Sequence, residues 1–481
     1  MTRPSPGAAR TRWWALVVLC LGVLMIVLDT TIVNVALPSI RTDLGFSETS
    51  LVWVVNAYML TFGGFLLLGG RLGDLYGQRR VFLAGLALFT LASLVCGLAH
   101  SQAMLVIARA VQGVGGAVVS AVALSLIMNL FPEPADRARA MGVYGFVCVG
   151  GGSIGVLLGG FLTGALSWHW IFLVNLPIGV VVTGLCLWLI PPSPGRGAQR
   201  LDAVGAATIT SALMLAVYAV VGGNEAGWAS PRTLGLLAVA VALLAAFVWT
   251  EARVSSPLMP LGLFRHRNIA AANVAGVLWA AAMFAWFFIS ALYMQLVLGF
   301  TPLQVGLAFL PANLIMAALS LGVSARMVMR FGFRRPMAAG LLLGAGGLAL
   351  FAFAPVDGSF VRHVLPGMTL LGLGAGIAFN PLLMAAMSEV GVEDSGLASG
   401  VVNTAFMMGG ALGLAALASL AAARSASLQS AGASLPEALA AGYRLAFAAG
   451  ASFAAVAAAL GLWWMRDREP DALQAGTPQP H

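Results

Sequence analysis

Two charges stand where charges are expensive. Asp29 lies in LDTTIVNVALPSI and Arg109 in RAVQGVGGA, each inside a long apolar stretch. An unpaired carboxylate near mid-membrane depth is costly. Asp29 is therefore either an aspartate satisfied near a helix end, or a titrating group or cation contact. A guanidinium keeps its proton, so Arg109 needs a partner, water, or an interface to which it snorkels. Gln112 is one turn from Arg109, and Gly113, Gly115 and Gly116 open a groove beside it. Asn34 follows Asp29 on the same helix. Asn175, Tyr293, Gln295, Asn380 and Asn403 are further polar groups in apolar surroundings and candidates to line a cavity. Phe406 and Met407 offer either an adaptable apolar wall or ordinary packing.

The elements that carry these residues are membrane helices. Of 481 residues, 60% are hydrophobic and only 9% charged, against roughly 25% charged in soluble domains. Mean hydropathy is +0.95. The apolar segments are continuous, which excludes the short alternating segments of a β-barrel. The fold class expected is all-α and polytopic. The net charge of +8 comes from arginine without lysine and sits in short loops, so nucleic-acid binding is not expected. Cys20, Cys96, Cys148 and Cys186 fall in apolar runs and read as small packing residues. No metal, nucleotide or haem motif is visible, so no cofactor is expected.

Apolar segments and polar breaks divide the chain. Residues 1–12 read as a tail, 13–190 as six helices, and 191–250 as a Pro/Gly linker with two additional helices. Residues 251–464 read as six more helices and 465–481 as a second tail. Fourteen spans place 19 of the 25 arginines on one side and five on the other, Arg109 being the remaining one. By the positive-inside rule both termini are then cytoplasmic. Trp168 and Trp170 suit an interfacial belt. Residues 422–442 read as an outer loop.

Between the second and third helices lies GGRLGDLYGQRR, Gly69 to Arg80, read as a polar turn at the arginine-rich face. Its Gly70, Asp74, Gly77, Arg79 and Arg80 resemble the signature loop of the major facilitator superfamily. Residues 324–335 look like a worn copy without the aspartate, as two homologous halves would leave. Asp29, Thr30, Asn34, Ala36 and Pro38 resemble the first-helix motif of the fourteen-helix drug:proton antiporters in that superfamily. Arg109 to Gly116 and Trp168 to Gly179 resemble further motifs of the same group. GGSIGVLLGG, which contains Gly151, Gly155, Gly159 and Gly160, resembles its fifth-helix motif, with Val156 where proline is usual.

The resemblance implies a secondary active transporter, not an enzyme. It implies proton-driven efflux of amphipathic or cationic small molecules by alternating access. Asp29 and Arg109 would couple protons. Gly70, Asp74, Gly77, Arg79, Arg80 and the Gly151–Gly160 face would serve gating and helix movement. Cargo and proton would compete for, or alternate at, a central cavity, with the additional helices peripheral. The implied partners are a small molecule, protons and membrane lipid, the implied state a monomer, and the implied place a bacterial inner membrane. Export of lipid or of an endogenous metabolite, and a non-transporting sensor or scaffold, are the other readings this chemistry allows.

Overall fold

The computed structural model describes residues 6–131, 133–192, 203–254, 257, 261–387 and 395–466, and no strand occurs among them. The first group of helices is α1 (Pro6–Leu44), α2 (Trp53–Tyr76), α3 (Gln78–Gly97), α4 (Gln102–Leu130), α5 (Pro134–Ala165) and α6, a turn Trp170–Leu173 running into Asn175–Leu189. A pair follows, α7 (Ala203–Ala226) and α8 (Pro231–Glu251). The second group is α9 (Arg267–Val297), α10 (Pro302–Ala318, prolonged to Phe331), α11 (Arg334–Ala352), α12 (Phe360–Met387), α13 (Ser395–Ser430) and α14 (Leu435–Trp464). Among the described residues eleven helices are long and apolar enough to cross a membrane, and three apolar stretches, Ser50–Leu66, Ala207–Gly223 and Pro302–Ala318, are shorter.

Within the first group α4 packs on α2 and α3, and α1 on α5; in the second, α11 packs on α12 and α14, and α9 on α13 and α14. The groups meet along two seams, α2 with α13 and α5 with α10. The second helix of each group thus packs on the fifth helix of the other. That exchange is what two repeats related by an axis along the membrane normal produce.

Glycine sets how closely the helices approach. A Cβ on Gly151 would meet Leu24 and Val27, on Gly155 the Leu28 carbonyl at 3.0 Å, and on Gly159 the Ile32 carbonyl at 2.7 Å. These glycines recur every fourth residue and form one stripe against α1, on both sides of Asp29. Gly160 faces another way. Its Cβ would lie 2.7 Å from the Pro302 carbonyl at the start of α10.

Several expected boundaries move. The GGRLGDLYGQRR segment is helical through Tyr76, and only Gly77, at φ 92°, breaks it before α3 begins at Gln78. Gly69 and Gly73 serve close packing, meeting Val118 and Val122 of α4. The expected outer loop 422–442 shrinks to a turn: α13 continues to Ser430, and α14 begins at Leu435 behind a Ser434–Glu437 capping box. Helix α1 begins at Pro6, inside the segment read as a tail, and α5 begins at Pro134. Pro134 at the first turn suits a helix start, since its missing N–H would have no partner there anyway.

The breaks between helices fix the direction of each helix. The ends near Gly77 and Gly332 carry Arg79, Arg80, Arg330, Arg334 and Arg335. The opposite ends carry the turns around Gly45, His100, Gly299 and Gly432. Contacts between the groups gather toward this second end. Gln295 donates to the Val35 carbonyl at 2.9 Å, and Asn56 to the Ala411 carbonyl at 2.9 Å. Gly160 abuts Pro302, and Gly306 abuts Val156. Toward the arginine-rich end of α5, a Cβ on Gly142 or Gly145 would meet nothing within 4 Å. The described conformation is shut at the arginine-poor end.

Candidate functional site

Asp29 is fully buried, and four helices of the first group close around it. Arg109 of α4 donates from Nη1 to Asp29 Oδ2 at 2.5 Å. Gln112, one turn along α4, donates from Nε2 to Asp29 Oδ1 at 2.7 Å. Asn175, at the start of the longer part of α6, donates to the same oxygen at 3.1 Å. Ser93 of α3 accepts from Gln112 Nε2 at 2.8 Å and from Asn175 Nδ2 at 3.4 Å, and itself donates to the Phe89 carbonyl at 2.8 Å. With its proton committed to Phe89, Ser93 presents lone pairs to both amides and turns their N–H groups toward Asp29. The carboxylate is met by donors: one guanidinium and two amides.

Arg109 is equally enclosed, at 1% exposure. Its Nη1 also donates to Gln112 Oε1 at 2.6 Å, and its Nε donates to the Val54 carbonyl of α2 at 2.9 Å. Its guanidinium lies 4.3 Å from the Tyr58 ring centre and 5.6 Å from that of Phe172. Arg109 therefore does not snorkel. Its charge is met by a carboxylate, a carbonyl, an amide oxygen and two ring faces. Gly113 lets α4 touch the Tyr58 carbonyl and Thr61, and Gly116 lets it touch the Tyr58 hydroxyl, so the glycines expected to open a groove instead close the helices.

Helix α2 presents different faces to this pair and to the second group. Val54 and Tyr58, four residues apart, face Arg109. Asn56, Met59 and Gly63 face α13, through the Ala411 carbonyl, Gly410 and Met407 respectively. The spacing i, i+3, i+7 defines one helical stripe. One helix thus joins the buried ion pair to a seam between the groups.

A family model described as Major Facilitator Superfamily matches residues 19–414. The chain belongs to the Major Facilitator Superfamily. It is a transporter and not an enzyme, and a multi-pass membrane protein. The chain is 41% identical over 414 residues to the puromycin resistance protein pur8 of Streptomyces alboniger, covering 85% of this chain and 82% of that one. It is 42% identical over 407 residues to the cephamycin export protein CmcT of Amycolatopsis lactamdurans, covering 84% of each. It is 39% identical to the multidrug resistance protein Stp of Mycobacterium tuberculosis (strain CDC 1551 / Oshkosh), covering 86% of this chain and 76% of that one. Among solved structures it resembles a bacterial homologue of the human lysosomal transporter spinster, in an inward-facing and unoccupied conformation. The TM-score is 0.66 at 17% identity, covering 96% of this chain and 97% of that one, which speaks to the fold alone.

In this facilitator, the residues named from the sequence fall into separate places. Asp29, Arg109, Gln112 and Asn175 come together. Ser93, Tyr58 and the Val54 carbonyl complete the network and were not named. A serine in an apolar helix carries no mark of its own, and a backbone carbonyl carries none in any sequence. Asn34 bonds back to the Thr30 and Thr31 carbonyls of its own helix. Tyr293 donates to the Pro355 carbonyl at 2.7 Å, and Asn380 to the Ser320 carbonyl at 3.0 Å, within the π-helical turn Leu319–Val323. Gln295 joins the groups at the arginine-poor end. These four side chains are satisfied by backbone. Asn403 is exposed.

Phe406 meets Phe284 and Phe379 edge-on, at 5.9 and 6.0 Å between ring centres, so α9, α12 and α13 contribute one aromatic patch. Met407 lies on Gly63 across the α2/α13 seam. In the signature segment Arg79 donates to the Leu187 carbonyl at 2.7 Å and Arg71 to the Pro257 carbonyl at 2.5 Å. Arg80 is exposed. Gly70 has only Ala121 nearby, at 3.8 Å from a built Cβ. The Asp74 side chain lies outside the described residues. Trp168, expected in an interfacial belt, is instead buried and donates to Asp43 at 2.9 Å, while Trp170 is exposed.

Proposed function

We propose that this transporter exports amphipathic small molecules, antibiotics among them, across a bacterial cytoplasmic membrane in exchange for protons. The roles for which its relatives are named, puromycin resistance, cephamycin export and multidrug resistance, support the export reading. The observation that carries the coupling is that the fully buried Asp29 is bonded to an arginine that also holds α2. Eleven long apolar helices and three shorter ones among the described residues support fourteen spans. The arginine-rich ends then face the cytoplasm, with both termini on that side.

The site alters one expectation about mechanism. Asp29 is enclosed within the first group, so cargo does not compete with the proton at its carboxyl in this conformation. Coupling instead runs through α2. When Asp29 takes a proton, its Oδ2 loses the charge that faces Arg109, and a charge-assisted contact becomes an ordinary hydrogen bond. Arg109 keeps Gln112 Oε1, the Val54 carbonyl and the Tyr58 ring. The hold of α4 on the Val54–Tyr58 face then changes, and the opposite face of α2, against α13, shifts with it. The arginine-poor end opens as the Asn56–Ala411 and Gln295–Val35 contacts part. The Phe284–Phe379–Phe406 patch offers π faces to an apolar cation.

The test is purified protein in liposomes under an imposed pH gradient, with ethidium as cargo. Wild type should move protons only when cargo is present, and Asp29→Asn should fold normally and lose both fluxes. Unchanged cargo-linked proton flux in Asp29→Asn would remove the coupling role. Absence of ethidium and puromycin flux in wild type would remove the export role. Cysteines placed at Ser230 and at Ala252 should label from opposite sides, and labelling from one side would overturn the fourteen-span topology.

A further inference from the structure

The pair α7 and α8 is more than peripheral. Helix α7 touches α2, where Thr210 fills the space beside Gly64, and it touches α13, where Ser419 donates to the Val220 carbonyl at 3.2 Å. Ile209 of α7, Phe247 of α8 and Met408 of α13 form a small apolar cluster. The pair therefore lies over the α2/α13 seam.

Between the arginine-poor ends of α2, α7 and α8 is a cavity of about 410 Å³. Thr49, Ser50 and Trp53 wall it on the α2 side, Tyr218 on α7, and Arg232 and Thr233 on α8. Arg232 donates to the Tyr218 hydroxyl at 2.7 Å, and the Tyr218 ring lies 6.4 Å from that of Trp53. No carboxylate pairs with Arg232 among the described residues. Thr49 and Thr233 are buried. Ala219, Val221 and Leu236 complete the wall with apolar surface. The cavity lies at the helix ends, where tryptophan and tyrosine mark the headgroup level of a bilayer.

The chemistry is a cation with hydroxyls at one level and apolar surface beside them. An apolar cargo would leave Arg232 unmatched, and a small soluble anion would leave the apolar wall unused. A phosphate headgroup with its attached acyl chain satisfies both. We propose that this cavity binds the headgroup of an anionic phospholipid, held by Arg232 with the hydroxyl of Thr49 beside it. The lipid would wedge the α7/α8 pair against the start of α2. This site lies apart from Asp29 and does not depend on what the protein exports.

The experiment is native mass spectrometry of the delipidated full chain with phosphatidylglycerol, phosphatidylcholine, or inorganic phosphate. Wild type should retain one phosphatidylglycerol at least tenfold more tightly than Arg232→Gln, a variant that keeps a donor for Tyr218. Gly222→Leu fills the cavity and leaves the arginine in place. A Cβ at Gly222 meets nothing within 4 Å, so this variant should fold and also lose the lipid. Thermal unfolding of both variants checks the fold. Equal retention of phosphatidylglycerol by wild type and a folded variant would overturn the site. Equal retention of phosphatidylcholine by wild type would overturn the anionic class. Displacement of the lipid by millimolar inorganic phosphate would assign the cavity to a soluble anion instead.

Discussion

Arg109 Nη1 lies 2.5 Å from Asp29 Oδ2, and neither side chain is more than 1% exposed. The residues are 80 positions apart in the chain and on different helices. A buried pair of this kind is costly to break from one side, because the remaining charge stays in a medium of low dielectric.

The first prediction concerns that asymmetry. Arg109→Ala should lower stability by about 3–5 kcal/mol, since it leaves the Asp29 carboxylate without its cation. The double variant Asp29→Asn with Arg109→Gln should recover a good part of that loss. Arg109→Lys should be intermediate, since it keeps the charge and loses the fork that reaches both Asp29 and Val54. Thermal unfolding in detergent measures all three. Additive losses in the double variant would mean that the two residues do not act as a pair.

Ser93 orients both amides that reach Asp29. Ser93→Ala should cost about 1 kcal/mol, the net worth of an ordinary hydrogen bond. It should also move the pH dependence of cargo export, because Gln112 and Asn175 lose the acceptor they share beside Asp29. Ser93→Thr keeps the acceptor and should restore the wild-type profile. The readout is export rate against pH in liposomes. A unchanged profile in Ser93→Ala, with lowered stability only, would make the serine a packing residue.

Gly160 abuts backbone atoms of Pro302 and Leu303, which have little room to give. Gly160→Ala should push α5 off α10 and disfavour closure of the arginine-poor end. Gly306→Ala, which would meet the Val156 carbonyl, should act in the same direction. Spin labels at His100 and Ala431, in a background without the native cysteines, should report a longer mean distance in both variants. The same distance as in wild type would show that this seam does not control the closed end.

Glu48 sits in the turn after α1, with Arg41 at 3.4 Å. Burial raises its carboxyl above the ordinary range, and Arg41 opposes that shift. A group with a raised value binds a proton more readily in the buried form. Burial of Glu48 should thus be favoured below the ordinary carboxylate range, at about pH 4, and lose that advantage as pH rises through the raised value. The contribution of Glu48 to thermal stability should accordingly fall with rising pH in wild type. Glu48→Gln should flatten that response, and an identical response would place the titrating group elsewhere.

Much of the site was legible in the chain itself. Asp29, Arg109, Gln112 and Asn175 stand out because polar groups in apolar helices are rare and must be satisfied. The all-helical class and the apolar segments follow from hydrophobicity, which acts locally and leaves its record in every segment. The spacing of Gly151, Gly155 and Gly159 likewise marks one face of a helix before any partner is known.

Which groups satisfy which was decided only in three dimensions. Asn34, Tyr293 and Asn380 look as suited to a cavity as Gln112 does, yet each bonds to a backbone carbonyl. Residue type says that a donor needs an acceptor; it does not say whether a carbonyl from another turn or helix will supply it. The segment around Gly77 reads as a long turn by composition. Packing on α4 keeps it helical, because glycine's missing Cβ serves close approach as well as it serves a turn. Ser93 and Val54 enter the network through position alone. Hydrophobicity determined that this chain forms membrane helices around a few costly polar groups. The packing of those helices determined that Asp29 is enclosed by Arg109, Gln112 and Asn175, because burial and pairing belong to the neighbours a residue meets and not to the residue.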